Sequence, residues 1–136
     1  MNFRIAHQLL LASAILLTQA TYVSPASATI TRIADDPTRN LAKADRLKIS
    51  FETWVQSPTA IYLKRVESNN NCKSTGSKGK YQGTWQMNAG FWKTYGGLKY
   101  AKKASKASCH EQDLVAYKGW LARGWSPWPP AKRFKP

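Results

Sequence analysis

The sequence contains few groups that could hold a metal ion or carry out acid–base chemistry. Of its 136 residues, two are cysteine, two are histidine and seven are aspartate or glutamate. No CxxC spacing occurs, and His110 is the only histidine near a cysteine, so a zinc site of the usual ligand spacing is not expected. We therefore expect neither a metal nor a cofactor.

The sequence also lacks an apolar run long enough to cross a membrane. The longest run, residues 9–17, is too short for a spanning helix and is interrupted by Ser13. It follows Arg4 and precedes the small-residue motif Ala26-Ser27-Ala28, an order typical of a secretory signal peptide cut after Ala28. We therefore predict removal of residues 1–28, a secreted or otherwise extracytoplasmic location (cell wall or periplasm), and no stable membrane insertion afterwards.

Acidic residues are scarce beside the basic ones. The chain has 21 Lys/Arg and 7 acids, and residues 1–28 hold one arginine and no acid, so the exported chain would carry 20 − 7, or +13. Such a charge concentrates polyanions near the surface. Anionic cell-wall polymers, nucleic acid and anionic lipid all qualify, but predicted export favours the wall, and no nucleic-acid motif or amphipathic basic stripe is present. A simpler interpretation is that the positive charge only keeps the protein soluble and attracts no particular partner. The same interpretation applies to the basic loop that contains Lys99, Lys102, Lys103 and Lys106.

Cys72 and Cys109 both fall in the predicted exported part. An even cysteine count in an exported protein indicates a disulfide, so we predict that these two are bonded. With 36 residues between them, the bond would stabilise the fold by roughly 3–4 kcal/mol on the chain-entropy model.

Apolar spacing predicts a mainly helical α+β domain over residues 41–136, behind a flexible lead at residues 29–40. Helices are expected over residues 41–55, with room for a break near Ile49, and over residues 58–67, with Ser57 as its N-cap. A polar, Gly-rich loop or hairpin over residues 69–80 then leads into a strand. We expect a monomer.

A strand is expected from Tyr81 to Met87, followed by a short helix that Asn88 caps. A capping box formed by Ser108 and Glu111 opens a long helix that stops at Gly124. The proline-rich tail from residue 125 is expected to be non-helical, with Trp125 and Trp128 against the core.

Glu67 stands where an apolar helix runs into polar residues, opposite the predicted strand. A half-buried carboxyl can hold a proton near neutral pH, as a glycan-cleaving acid must. Across the cleft, Tyr81 and Trp85 could stack on sugar rings and Gln86 could bond a sugar amide or hydroxyl. Strand alternation puts Trp85 and Gln86 on opposite faces, so one of them should be structural. The simpler interpretations are a solvated charge for Glu67 and a strand-edge polar group for Gln86.

These residues resemble the transglycosylase-like domain of the resuscitation-promoting factors, a branch of the lysozyme fold, from about Ile61 to Pro130. Five motifs match in order and at nearly the family's spacing. They are Val66-Glu67-Ser68-Asn69-Asn70-Asn71, Tyr81-Gln82-Gly83-Thr84-Trp85-Gln86-Met87, Phe91-Trp92 with Gly96-Gly97-Leu98-Lys99-Tyr100-Ala101, His110-Glu111-Gln112, and Gly124-Trp125-Ser126-Pro127-Trp128-Pro129.

The sequence departs from the family pattern at three places. The family's cysteine before the glutamate is Val66 here, and its partner cysteine falls near Ala131, so that bond is absent as a unit. A threonine before the mid-domain tryptophan is replaced by Phe91. The Gly-Gly after the glutamate is Asn69-Asn70, and asparagine tolerates the left-handed backbone that such a turn requires.

The resemblance implies a small lysozyme-like fold and cleavage of peptidoglycan strands at the bond between N-acetylmuramic acid and N-acetylglucosamine. It also implies a single catalytic glutamate, Glu67, acting as lytic transglycosylase or, with water, as muramidase. A second carboxylate is hard to find, because Glu111 belongs to a helix cap and Asp113 lies in the first turn of that helix. The alternative function is a non-catalytic protein that binds cell-wall glycan.

Overall fold

The computed structural model describes residues 36–134. The predicted signal peptide, residues 1–28, lies outside them, and so does the first part of the predicted lead. The described part is mainly helical with a small antiparallel sheet, which confirms the α+β prediction. Its elements are α1 (Lys43–Arg46), α2 (Phe51–Val55), α3 (Pro58–Ser68), β1 (Thr75–Gly76), β2 (Tyr81–Gln82), α4 (Ala89–Thr94) and α5 (Cys109–Arg123), with 3₁₀ turns at Ser77–Gly79, Gly97–Lys99, Ala104–Lys106 and Pro129–Lys132.

The helix expected over residues 41–55 is in fact two short helices, α1 and α2. The break falls before Ser50, which has an extended backbone. Its side chain caps α2 by accepting from the Thr53 N–H at 3.2 Å. Ser57 caps α3 in the same way, accepting from Ala60 N. A serine thus sets the start of α2 and of α3, because its oxygen satisfies an N–H that the helix itself leaves free.

Residues 36–40, expected to belong to the flexible lead, instead form a turn that hydrogen bonds hold against α3. The Asp36 carboxylate accepts from the Thr38 N–H at 2.8 Å and from the Thr59 N–H at 2.7 Å. Both Asp36 and Thr38 are buried. The prediction of flexibility is wrong for this part, because Asp36 supplies a charged acceptor to the first turn of α3.

Tryptophans fill the centre of the core. Trp54 has no exposed surface and stacks on Trp85, with ring centroids 5.0 Å apart, and on Trp125 at 5.7 Å. Trp92, Trp120 and Trp128 are also buried, as expected for core residues. Rings of this size bury more apolar area per residue than aliphatic side chains, which suits a small domain.

The long C-terminal helix has the predicted ends. Ser108 and Glu111 form the capping box of α5, and Gly124 ends the helix with φ 59°. The tail then returns to the core, where Trp128 Nε1 donates to the Trp85 carbonyl at 3.0 Å. The tail is not wholly irregular as expected, because Pro129–Lys132 forms a 3₁₀ turn that begins with prolines, where their missing N–H is not needed. Within residues 36–134, no helix combines the length and apolar content needed to cross a membrane.

The second strand of the hairpin after α3 is shorter than predicted, because β2 contains only Tyr81 and Gln82. The two strands pair Thr75 with Gln82 and Gly76 with Tyr81, and regular pairing ends there. Gln82 and Met87 then exchange both backbone hydrogen bonds at 2.9 Å and close a tight turn over residues 83–86. The expected strand over residues 81–87, and the face alternation derived from it, are therefore wrong beyond Gln82. Gly83, with φ 75°, allows the chain to leave the strand there.

Candidate active site

Glu67 occupies the last turn of α3. Helical spacing places it on the face that carries the buried Ala60 and Leu63, so its carboxyl is half-buried rather than solvated. This burial raises the pKa of the Glu67 carboxyl. The negative end of the helix dipole acts in the same direction. Within residues 36–134, no hydrogen bond or ion pair holds the carboxyl in its charged form, so Glu67 keeps its proton to a higher pH than a free glutamate does.

The next residue ties this helix end to the turn over residues 83–86. Ser68 Oγ donates to the Thr84 carbonyl at 2.9 Å and can also reach the Lys64 carbonyl at 3.1 Å. Beyond Ser68, Asn69 and Asn70 both adopt left-handed backbone, with φ 54° and 59°. The turn that the family makes with Gly-Gly is thus kept by two asparagines, as expected.

Gln112 holds the same turn from the other side. Its side chain has no exposed surface, accepts from the Thr84 N–H at 2.7 Å, and donates to the Cys72 carbonyl at 2.9 Å and the Ala107 carbonyl at 3.2 Å. A Cβ at Gly83 would overlap the Gln112 carboxamide, so this position needs glycine for space as well as for its φ. One buried amide therefore joins the turn, the loop after Glu67 and α5.

The predicted disulfide between Cys72 and Cys109 is present. Their Cα atoms are 5.3 Å apart, within the range that a disulfide requires. The bond fixes the loop after α3 to the first residue of α5, three residues before Gln112. The covalent link and the buried amide thus act on the same junction.

Asp113 lies near the start of α5, but its carboxylate contacts residues of the site rather than the helix itself. Its carboxylate accepts from Trp85 Nε1 at 2.7 Å and lies 3.6 Å from Lys64 Nζ. Lys64 in turn lies 5.9 Å from the centroid of the Trp85 ring. Sequence reasoning missed this group because its members are far apart in the chain; the one available clue was that a buried tryptophan N–H needs an acceptor.

A cleft with a volume of about 480 Å³ lies beside the turn over residues 83–86. It is lined by aromatic and polar side chains from the hairpin, α4 and the tail. These residues are Tyr81, Trp85, Gln86, Met87, Asn88, Gly90, Phe91, Thr94, Tyr95, Arg123, Ser126, Pro127 and Trp128. Glu67 is not among them, so its carboxyl lies outside the cleft, while the adjacent Ser68 contacts the turn beside the cleft.

The three residues expected to contact sugar differ in what they can offer. Tyr81 is partly exposed at the cleft, with Lys80 Nζ 5.5 Å from its ring centroid. Trp85 is fully buried against Trp54, so the expectation that its ring stacks on a sugar is corrected: it has no free face. Gln86 lines the cleft, but its Nε2 already donates to the Gly83 carbonyl at 2.8 Å and to Ser74 Oγ at 3.3 Å.

Phe91, which replaces the family threonine, changes the floor of the cleft. Its ring packs directly over Gly119 of α5, where any Cβ would overlap it. It also makes an edge contact with Trp128 at 5.5 Å and lies 4.6 Å from Tyr95. The substitution therefore exchanges a hydroxyl for an aromatic surface that the cleft exposes in part.

Most other carboxyls of the described residues already have structural partners. Asp36 and Glu111 accept at helix starts, Asp45 pairs with Lys48 at 2.8 Å, and Asp113 holds Trp85. Glu52 is exposed on α2. Between positions 36 and 134, no three His, Cys, Asp or Glu side chains are grouped in a way that could hold a metal ion.

Lysozyme-like glycosidases and transglycosylases are mainly helical domains in which a short hairpin follows the helix that carries a half-buried glutamate, and this domain has the same arrangement. A comparison with protein families agrees: the model of the transglycosylase-like domain matches residues 56–131, more than half of the chain. The protein therefore belongs to the transglycosylase-like domain family of the lysozyme-like superfamily. This is a family of the lytic-transglycosylase type that acts on the cell wall, so its substrate is peptidoglycan. The matched range contains every element of the site described above.

Proposed function

We propose that this protein is an exported enzyme that cleaves peptidoglycan strands between N-acetylmuramic acid and N-acetylglucosamine, with Glu67 as its single catalytic carboxyl. The observation that carries the proposal is the half-buried Glu67 carboxyl, whose pKa is raised by burial. Protonating the leaving oxygen of a glycosidic bond requires an acid that keeps its proton near neutral pH. Export is supported by the disulfide, because such bonds persist in oxidising compartments.

The first step is proton donation. Glu67 gives its proton to the glycosidic oxygen as the bond to the muramic C1 breaks, and positive charge develops on the sugar ring. The N-acetyl group of the same sugar can stabilise that charge by attacking C1. The N-acetylglucosamine-bearing product leaves with a new hydroxyl, and Glu67 is left as a carboxylate.

The second step restores the acid. The Glu67 carboxylate takes a proton from the 6-hydroxyl of the muramic residue, whose oxygen attacks C1 and closes a 1,6-anhydro ring. No water is consumed, and the enzyme ends in its starting protonation state. If water attacks C1 instead, the same carboxylate accepts a proton from that water and the product is a reducing sugar, as in a muramidase.

The surroundings of Glu67 support a mechanism that uses one carboxyl. The nearest elements supply a lysine, a serine and two asparagines, while the Asp113 carboxylate is occupied by Trp85 and Lys64. A two-carboxylate glycosidase needs a second free carboxyl about 5–10 Å from the acid. The residues described around this helix end offer none that is uncommitted.

The glycan would lie in the cleft and pass the turn over residues 83–86 to reach Glu67. Tyr81 offers a partly exposed ring for a sugar, and the Gln86 carboxamide oxygen is the part of that side chain left to accept from a sugar N–H or hydroxyl. Trp85 supports this path from beneath, through its contacts with Asp113 and Trp54. Arg123 at the cleft edge can meet the carboxylates of peptide stems.

A second candidate function is glycan binding without turnover. One observation favours it, namely that Glu67 does not line the cleft beside the turn, so a strand could occupy the cleft without approaching the acid. The two functions differ in their products. Only the enzyme releases shorter strands with altered ends.

Digestion of purified peptidoglycan, followed by mass analysis of the soluble products, tests the proposal. We expect fragments that end in 1,6-anhydromuramic acid, which are lighter by one water than the hydrolytic products. Reducing muramic ends would instead identify a muramidase with the same acid. Strong wall binding without any soluble fragment, by protein whose disulfide is shown to be intact, would favour the binding function and contradict the proposal.

A further inference from the structure

One long stretch of the chain contains positive charge and no acidic residue. Between Glu67 and Glu111 the sequence contains eight lysines, no arginine, no aspartate and no glutamate. This stretch includes the hairpin, α4 and the basic loop. Charge of a single sign that nothing neutralises attracts a partner of the opposite sign.

Four of these lysines line a single depression, which we call the lysine pocket. Lys73 and Lys78 come from the hairpin, and Lys103 and Lys106 come from the basic loop about 30 residues further along the chain. The depression has a volume of about 500 Å³ and also includes Thr75, Gln82 and Ser105. Within residues 36–134 the ion pairs are Lys48–Asp45 and Lys64–Asp113, so no described carboxylate neutralises the pocket.

The base of the lysine pocket is held by buried polar contacts. Ser105 Oγ donates to the Gln82 carboxamide oxygen, and Gln82 Nε2 donates to the Gly79 carbonyl at 2.6 Å. Gln82 and Ser105 are both buried. The hairpin and the basic loop are therefore fixed to each other, and the two pairs of lysines stay on the same depression.

The lysine pocket and the cleft lie on opposite sides of β2. Tyr81 lines the cleft, whereas the adjacent Gln82 lines the pocket, and successive residues of a strand point to opposite faces. Thr75, the partner of Gln82 in the sheet, lines the pocket as well. A strand bound in the pocket is therefore not the segment held in the cleft.

The chemistry of the pocket selects the kind of anion. Its lining contains lysine, threonine, serine, glutamine and glycine but no aromatic and no large apolar side chain. Single-stranded nucleic acid is usually held by stacking its bases on aromatic rings, and lipid needs apolar surface; neither is provided here. The lysine ammonium groups and the threonine and serine hydroxyls of the pocket are suited to phosphate, which accepts several hydrogen bonds and stays charged.

We propose that the lysine pocket is a second binding site, for a phosphodiester-linked polyol strand such as an anionic polymer of the cell wall. Phosphodiesters carry a full negative charge at each repeat, whereas peptide stems carry amines beside their carboxylates and so offer less net charge. Binding at this site would hold the domain on the wall from the side opposite the cleft. The site is independent of cleavage, because it shares no lysine with the cleft or with the Glu67 helix.

The test measures binding of a fluorescent glycerol-phosphate oligomer to purified protein in low salt. One variant replaces the four pocket lysines with glutamine, and a control variant removes the same charge from four exposed lysines elsewhere: Lys43, Lys93, Lys118 and Lys132. We expect the pocket variant to bind about tenfold more weakly or worse, a loss of about 1.4 kcal/mol spread over four exposed contacts. The control should lose less than about threefold.

Three results would overturn the proposal. Equal losses in the pocket and control variants would mean that the overall charge, and not the pocket, attracts the polymer. If polyglutamate of the same charge binds as tightly and depends equally on the pocket lysines, the pocket has no preference for phosphate. A single-stranded oligonucleotide of equal charge binding more tightly through those lysines would identify a nucleic-acid site. Unchanged melting temperatures of both variants show that the fold is intact in all arms.

Discussion

Replacing Gln112 with methionine should strongly destabilise this protein, because one buried amide joins three parts of the site. Methionine nearly matches glutamine in length and volume but forms none of the three hydrogen bonds to Thr84, Cys72 and Ala107. Each such bond contributes about 1 kcal/mol net, and each buried backbone group left without a partner costs about 1–3 kcal/mol. We therefore expect a loss of about 3–5 kcal/mol, a large part of a total stability of about 5–15 kcal/mol.

Guanidinium unfolding followed by tryptophan fluorescence measures this loss, since the tryptophans form the core. The midpoint should fall by about 1 M or more with little change in slope, because the surface exposed on unfolding stays the same. The matched control is Lys118→Met, an exposed position on the same helix, which should change stability by less than about 0.5 kcal/mol. A loss below about 1 kcal/mol for Gln112→Met would refute the view that this amide holds the turn beside Glu67.

Two further predictions concern the disulfide and the acid. Replacing Cys72 and Cys109 together with alanine should cost about 4 kcal/mol on the chain-entropy model for a separation of 37 residues, so the melting temperature should fall by more than roughly 10 °C; a fall of a few degrees would show that the junction is held by its hydrogen bonds alone. Because burial raises the pKa of Glu67, the folded state binds this proton more tightly than the unfolded state, and stability is lost as pH rises through that raised pKa. Glu67→Gln should thus raise the melting temperature at neutral pH but not at a pH low enough to protonate Glu67 in both states; an unchanged melting temperature at neutral pH would contradict the burial of the charge.

The starts of α3, α4 and α5 and the disulfide could be predicted from the sequence because the interactions that decide them are local or few. Ser57, Asn88 and Ser108 each cap a helix by accepting from the N–H three residues further along the chain. The disulfide followed from there being two cysteines in a chain with a predicted export signal. The positions of both were accordingly confirmed.

The turn over residues 83–86 could not be predicted, because tertiary contacts decide it. The run from Tyr81 to Met87 has the composition of a strand, but Gly83 bends under the Gln112 side chain and Thr84 bonds to both α3 and α5. The burial of Trp85 and the role of Asp113 depend on the same long-range packing. A pattern read along the chain cannot include partners about 30 residues away.

The lysines illustrate the same limit for the surface. The sequence grouped Lys103 and Lys106 with Lys99 and Lys102, their neighbours in the basic loop. In the fold they share a depression with Lys73 and Lys78 from the hairpin, while Lys99 lies against Tyr100, 4.4 Å from its ring centroid. The amount of charge was predictable, but its arrangement depends on how the hairpin meets the loop.

The most direct test of the account is turnover of purified peptidoglycan by Glu67→Gln beside the matched control Glu52→Gln, an exposed glutamate on α2. Glutamine keeps the shape of the side chain but has no acid proton to donate, and loss of a general acid costs about 10²–10⁴-fold. We predict that Glu67→Gln retains about a hundredth of wild-type turnover or less, with the fold intact, while Glu52→Gln retains nearly all of it. Retention of more than about a tenth by Glu67→Gln would contradict the assignment of Glu67 as the catalytic acid.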